Sequence, residues 1–144
     1  MKTIKTLMFV TIAAMGFNSC AQESVLQNNE IPGKIKSYIT SHFPNEAITL
    51  ATKDQEAFKT KYEIILNNAT ELEFNGGKEI TNIDGKTKLP DSTIPVQILS
   101  YVNINYPSNF IKSWQLNKGI QEIVLDNGLD FKFNMNNIFL SIDN

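Results

Sequence analysis

Ile31, Ile35, Tyr38, Ile39 and Phe43 recur at the three-to-four-residue spacing of one helical face, with Pro32 at the start of the run. The same spacing returns at Ile94, Ile98, Tyr101, Val102 and Tyr106, after Pro95. Pro44 and Pro107 stop both runs, because a proline disfavours helical geometry in the residue before it. A short strand is expected after each helix, near residues 47–52 and 111–116. The period then changes from helical to alternating. Tyr62, Ile64 and Leu66 interleave with Glu63, Ile65 and Asn67, and Ile123 and Leu125 interleave with Glu122, Val124 and Asp126. Asp126-Asn127-Gly128 is a strong hairpin signal, and Asn67-Asn68-Ala69 holds the same place with weaker turn chemistry. The return strands carry Leu72 and Phe74, or Leu129, Phe131 and Phe133, on one side. Glu71 and Glu73, or Asp130 and Lys132, alternate with them. Asn75-Gly76-Gly77 and residues 134–137 turn the chain into last strands ending at Ile83-Asp84 and Ile142-Asp143.

The pattern is written twice. At an offset of 63, seven of eighteen positions from Ile31 to Ile48 are identical to their counterparts. At an offset of 59, eight of twenty-two from Glu63 to Asp84 are identical. About two or three would match by chance at ordinary residue frequencies. The change of offset places a four-residue deletion in the second copy, in the loop near residues 53–59. The expected fold is therefore α+β: two tandem repeats, each a helix plus a four-stranded antiparallel sheet, with the sheets adjoining or continuous. Each sheet should be apolar toward the helices and polar on the other face. The first repeat is placed at residues 27–84 and the second at 85–144. A unit of about sixty residues is marginal alone, so the short link from Gly85 to Asp91 should hold the halves together.

The first twenty residues read differently. Lys2 and Lys5 precede an apolar run from Leu7 to Phe17, followed by small and polar residues, which is the pattern of a secretory signal over residues 1–21. Eleven residues are too few for a spanning helix, which needs about 20. Two processing routes fit, and both involve Cys20. Phe17-Asn18-Ser19-Cys20 resembles a bacterial lipoprotein box, which would lipidate Cys20. Ser19-Cys20-Ala21 also fits a small-x-small site cut before Gln22. The expected location is periplasmic or secreted, with outer-membrane lipid anchoring through Cys20 under the first route. Either way the folded part holds no thiol, which excludes disulfides and cysteine catalysis.

Composition narrows the chemistry. Hydrophobic residues make up 42% and charged residues 19%, which is globular and not disordered. Removing Lys2 and Lys5 with the signal leaves 11 lysines against 15 acids, and the chain has no arginine. Nucleic acid is therefore not an expected partner. His42 is the only histidine, so triads and multi-histidine metal sites are excluded, and its position fits a helix C-terminus. The acid pairs Glu71 with Glu73 and Asp126 with Asp130 alternate with apolar residues as a solvated strand face does. No phosphate loop, CxxC pair or HExxH helix is present, so neither cofactor, metal nor enzymatic activity is expected.

The Ile-Pro helix closing on Phe-Pro or Tyr-Pro, the Tyr-Glu-Ile-Ile-Leu-Asn strand, the acid-plus-Phe-Asn strand and the closing Ile-Asp strand together resemble the PepSY-like group similar to β-lactamase-inhibitor proteins. The resemblance covers residues 31–84 and 89–143. It implies a periplasmic or secreted, tandemly repeated protein without enzymatic activity that binds or inhibits other proteins.

The expected function is thus a non-catalytic protein-binding module, inhibitory or chaperone-like toward an exported protein, using the open sheet face. Ile65 and Val124 occupy equivalent outward positions on it, among Glu63, Glu122, Asp126 and Lys132. Trp114 has two readings. If Ile111 points inward, Trp114 points outward as a partner anchor; if the strand begins one residue later the parity flips and Trp114 is core. The alternative function is a small apolar-ligand carrier with its pocket between helices and sheet.

Overall fold

The computed structural model describes residues 22–56 and 58–143. The expected signal at 1–21, with Cys20, lies outside them. Strand β1 (Gln22–Val25) opens the described chain. The first repeat follows as helix α1 (Gly33–His42) and strands β2 (Ile48–Glu56), β3 (Lys59–Leu66), β4 (Glu71–Asn75) and β5 (Ile80–Asp84). The second is α2 (Val96–Asn105), then β6 (Ile111–Asn117), β7 (Ile120–Leu125), β8 (Asp130–Asn134) and β9 (Phe139–Asp143). All nine strands form one antiparallel sheet in chain order, so the two halves are continuous through β5 and β6.

Local chemistry explains the boundaries. Pro32 and Pro95 sit just ahead of the helices in extended geometry. At the other ends, the Phe43 and Tyr106 amides donate to Ile39 and Val102 at 2.7 Å before Pro44 and Pro107 forbid another turn. The hairpins repeat as well. Gly128 donates to the Leu125 carbonyl and lies at φ +89°, the left-handed residue that completes a three-residue loop. Ala69 fills that role in the first repeat at φ +61°, a conformation that favours glycine.

Ile35 and Ile39 of α1, and Ile98 and Val102 of α2, pack on inward strand residues such as Ile64, Phe74, Ile83, Ile123 and Phe131. Ile83 stands opposite Trp114 in the β5–β6 pairing, which joins the inward faces of both repeats into one core. Each fully buried Ile or Phe stabilises the fold by about 1.5–3 kcal/mol. Gly85 makes the crossing possible: a Cβ there would lie 2.8 Å from Leu89 Cδ2. The link is pinned along β6 by amide bonds from Gly85 and Leu89 to the Lys112 and Ile111 carbonyls.

Three features differ from expectation. Strand β1 was not expected; Gln-Glu-Ser-Val is too short and polar to stand out, yet it pairs with the outer edge of β2 from Gln22 to Val25. The four residues extra to the first repeat lengthen the β2–β3 hairpin, whose pairing extends to Glu56 and Lys59, where a loop was expected. Strands β2 and β6 each carry a bulge, at Thr49 and Lys112, after their first residue pair. The bulge resets parity, so Ile111 and Trp114 both face inward.

Trp114 is accordingly core, 7% exposed, and not part of the open face. Its indole N–H donates to Gln121 Oε1 at 3.2 Å. The Gln121 amide donates to the Asn134 carbonyl and to Asn137 Oδ1, and Asn137 Nδ2 donates to Gln97 on α2. The buried polar ends are thus partnered.

Candidate functional site

The face opposite the helices is read from the registers. One row crosses the whole sheet as Thr52, Glu63, Glu73, Asn82, Gln115, Glu122 and Lys132, with Val25 and Ser141 at its ends. A second, parallel row runs Leu50, Ile65, Glu71, Asp84, Ser113, Val124, Asp130 and Asp143. Ile65 and Val124 are half-buried in equivalent places of the two repeats, each beside an acid, Glu71 or Asp130. Lys132 lies across from Glu122 and pairs with Asp143. Asp126 does not join this face. Its carboxylate accepts from Asn109 Nδ2 and the Phe110 amide at 3.0 Å, tying the β7–β8 turn to the start of β6. The Asn109 bond, then the Phe110 one, holds its pKa below the usual carboxylate value.

Carboxylates dominate the rows, and their electrostatics are unrelieved in places. Lys61 Nζ lies 3.4 Å from Glu73 and 3.6 Å from Glu63, bridging two acids that face each other across β3 and β4. Desolvation pulls the Lys61 ammonium down, but the two carboxylates outweigh it and hold the group above its ordinary value. Asp130 is pushed up, first by burial and then by Glu122, with Lys132 opposing. Its Oδ1 is buried without a hydrogen-bond partner, as is that of Asp54.

Other candidates are placed elsewhere. His42 Nδ1 lies 2.9 Å from Ser92 Oγ, an inter-repeat contact, and its ring packs 4.4 Å from Tyr38. The space between helices and sheet is filled, with Ile35, Ile64, Phe74, Ile98, Ile123 and Phe131 fully buried. A groove of about 600 Å³ lies at the margin, between α1 and the β1–β2 edge, with Leu26, Ile31, Ile48 and Leu50 among polar neighbours. Among the described residues no group of three or more His, Cys, Asp or Glu is placed to hold a metal ion.

Two stretches of the chain, residues 18–77 and 60–141, match the family described as "Putative beta-lactamase-inhibitor-like, PepSY-like". The chain belongs to this family. The double match agrees with the repeat seen in sequence and fold. The PepSY-like architecture is also shared with solved Bacteroides proteins. A "putative periplasmic protein" of Bacteroides vulgatus ATCC 8482 is 29% identical, with a TM-score of 0.79 over 85% of this chain and 97% of its own. A "putative calcium-regulated periplasmic protein" of Bacteroides thetaiotaomicron is 28% identical, with a TM-score of 0.80 and the same coverage. Another Bacteroides vulgatus ATCC 8482 protein, described as periplasmic and of unknown function, is 27% identical, with a TM-score of 0.79 over 85% of this chain and all of its own. No curated protein matches this PepSY-like chain.

Proposed function

We infer that this chain is an exported, non-catalytic protein-binding module that engages an envelope or secreted protein through its open sheet face, acting as an inhibitor or chaperone. The observation that carries the reading is the face itself. One unbroken row spans nine strands and a second spans eight, acids flank the equivalent apolar positions Ile65 and Val124, and both helices lie on the other side. Flanking carboxylates favour a partner with a basic surface, since complementary charge steers encounter and fixes register. The periplasmic description of the Bacteroides relatives supports an envelope location. Lipidation at Cys20 would tether the module to the outer membrane. Calcium regulation, named for one relative, is not carried over, because the carboxylates here are strung along rows and not gathered around a point.

The test is capture from an envelope extract with the purified protein and with Ile65→Lys/Val124→Lys. A partner retained by the first and lost by the second supports the reading. Identical capture by both, or none by either, overturns it. The edge groove beside α1 supports a second reading, a carrier of a small apolar ligand. Native mass spectrometry showing co-purified ligand would favour that one.

A further inference from the structure

The repeats are alike inside, but they differ sharply at one corner of the surface. In the first repeat, the flank of α1 beside β5 and the β4–β5 turn is polar, with Ser41, Gly76 and an ion pair between Lys34 and Glu79. At the matching corner of the second repeat, Ile104 stands for Ser41, Met135 for Gly76, Ile138 for Glu79 and Leu140 for Thr81. These four side chains are 78%, 57%, 59% and 49% exposed. Packing within the chain gives no reason for the exchange, because the positions face solvent. The corner is one contiguous surface: Tyr101 of α2 stacks on Phe139 of β9 at 5.1 Å, and Asn137 bonds Gln97. Charge is removed along with polarity. Segments 96–105 and 134–142 contain no charged residue, whereas Lys34, Lys36, Lys78 and Glu79 occupy the corresponding stretches of the first repeat.

The backbone tells the same story. The outer edge of β5 is covered by β6, but among the described residues nothing pairs with the outer edge of its counterpart β9. An exposed apolar edge strand is a template for another strand. The β5–β6 junction shows that the equivalent edge of the first repeat accepts an antiparallel neighbour.

We propose that the β9 edge and the apolar flank of α2 form the interface of a two-fold dimer, with β9 pairing antiparallel to β9 of a second copy. A second copy is the occupant the charges favour. The chain carries a net negative charge, so a second copy is repelled least where charge is absent, as it is over residues 96–105 and 134–142. Two-fold pairing also follows from the opposite end of the sheet. Strand β1 lies on the outer edge of β2 and runs in the same direction as β9, so continuing the sheet head to tail would set β9 parallel to β1 of the next copy, a weaker pairing than the antiparallel one across a two-fold axis.

Sedimentation of the purified protein over a wide concentration range tests this. A reversible monomer–dimer equilibrium that does not weaken with added NaCl is expected. Ile104→Ser/Ile138→Glu/Leu140→Thr, which restores the first repeat's chemistry, should weaken dimerisation at least about tenfold while far-UV circular dichroism stays unchanged. Ile104→Ser alone, on the helix exterior, should weaken it in the same direction if the triple variant fails to fold. A protein that stays monomeric, forms open-ended oligomers, or dimerises equally well after these changes overturns the proposal.

Discussion

Trp114 offers the most direct test of how the two repeats solve the same packing problem. It stands where the first repeat has Ala51, and its diagonal neighbour Gln121 stands where the first repeat has Tyr62. Each repeat therefore places one large side chain at this inward corner, on opposite strands of the hairpin. Trp114→Ala removes a buried indole and should cost about 3–5 kcal/mol, because a rigid sheet collapses only partly around the cavity. Part of that is the lost donor to the buried Gln121 oxygen, a group that costs about 1–3 kcal/mol to leave unpaired. Gln121→Tyr alone should overpack against Trp114 and cost about 1–3 kcal/mol. The double variant reproduces the Ala–Tyr arrangement of the first repeat. It should regain at least about 2 kcal/mol over the sum of the single changes, at the upper end of coupling between touching residues. Urea unfolding followed by far-UV circular dichroism measures all four forms, since Trp114→Ala and the double variant lose the indole as a probe. Additive single effects, or a loss below about 1 kcal/mol for Trp114→Ala, would refute the argument. In the unsubstituted protein the indole emission should shift to the red on unfolding.

Further outcomes follow from the turns and the titrating groups. Ala69→Gly relieves a left-handed alanine and should raise stability by about 1 kcal/mol, while Gly128→Ala should lower it by a similar amount; thermal melts decide. The raised pKa of Asp130 means that ionisation opposes folding. Asp130→Asn should therefore stabilise at neutral pH, with a gain that fades as pH falls below the ordinary carboxylate value of 3.8; a gain independent of pH would sink the assignment. Burial lifts the Tyr38 hydroxyl to about 12, so stability should fall as pH rises from 10 toward 12. Tyr38→Phe should flatten that part of the profile.

The helix stripes, the proline stops, the hairpin turns and the duplication were legible because each is a period or a local stereochemical demand. The β2 and β6 bulges were not. Thr49 and Lys112 carry no glycine or other marker, and one extra residue reverses every side chain after it. That single irregularity decides Trp114. Ile65, Val124 and Lys132 stand on β3, β7 and β8, which carry no inserted residue, and kept the parity that alternation gave them. Asp126 was placed on the face by counting along β7, but the turn begins there, and its carboxylate caps the neighbouring strand. The two open ends of the sheet were also invisible, since edge position is a property of topology and not of any window of residues.

The differences between repeats now separate into kinds. Trp114 against Ala51 is compensation within the core. Lys132 against Glu73 is a difference on the open face, and it grades the charge along it. In the first repeat Glu63 and Glu73 face each other and share Lys61, with Glu71 and Asp84 beside them. In the second repeat Glu122 faces Lys132, which also pairs with Asp143. In the second half Lys132 thus offsets part of the charge of Glu122, Asp130 and Asp143, whereas the same rows in the first half hold Glu63, Glu71, Glu73 and Asp84, so negative charge is denser over β3 to β5. A basic partner should therefore lean on the first repeat, with Glu71→Lys weakening capture more than Asp130→Lys. Binding lost equally from both would mean that the apolar positions, and not the charge gradient, orient the partner.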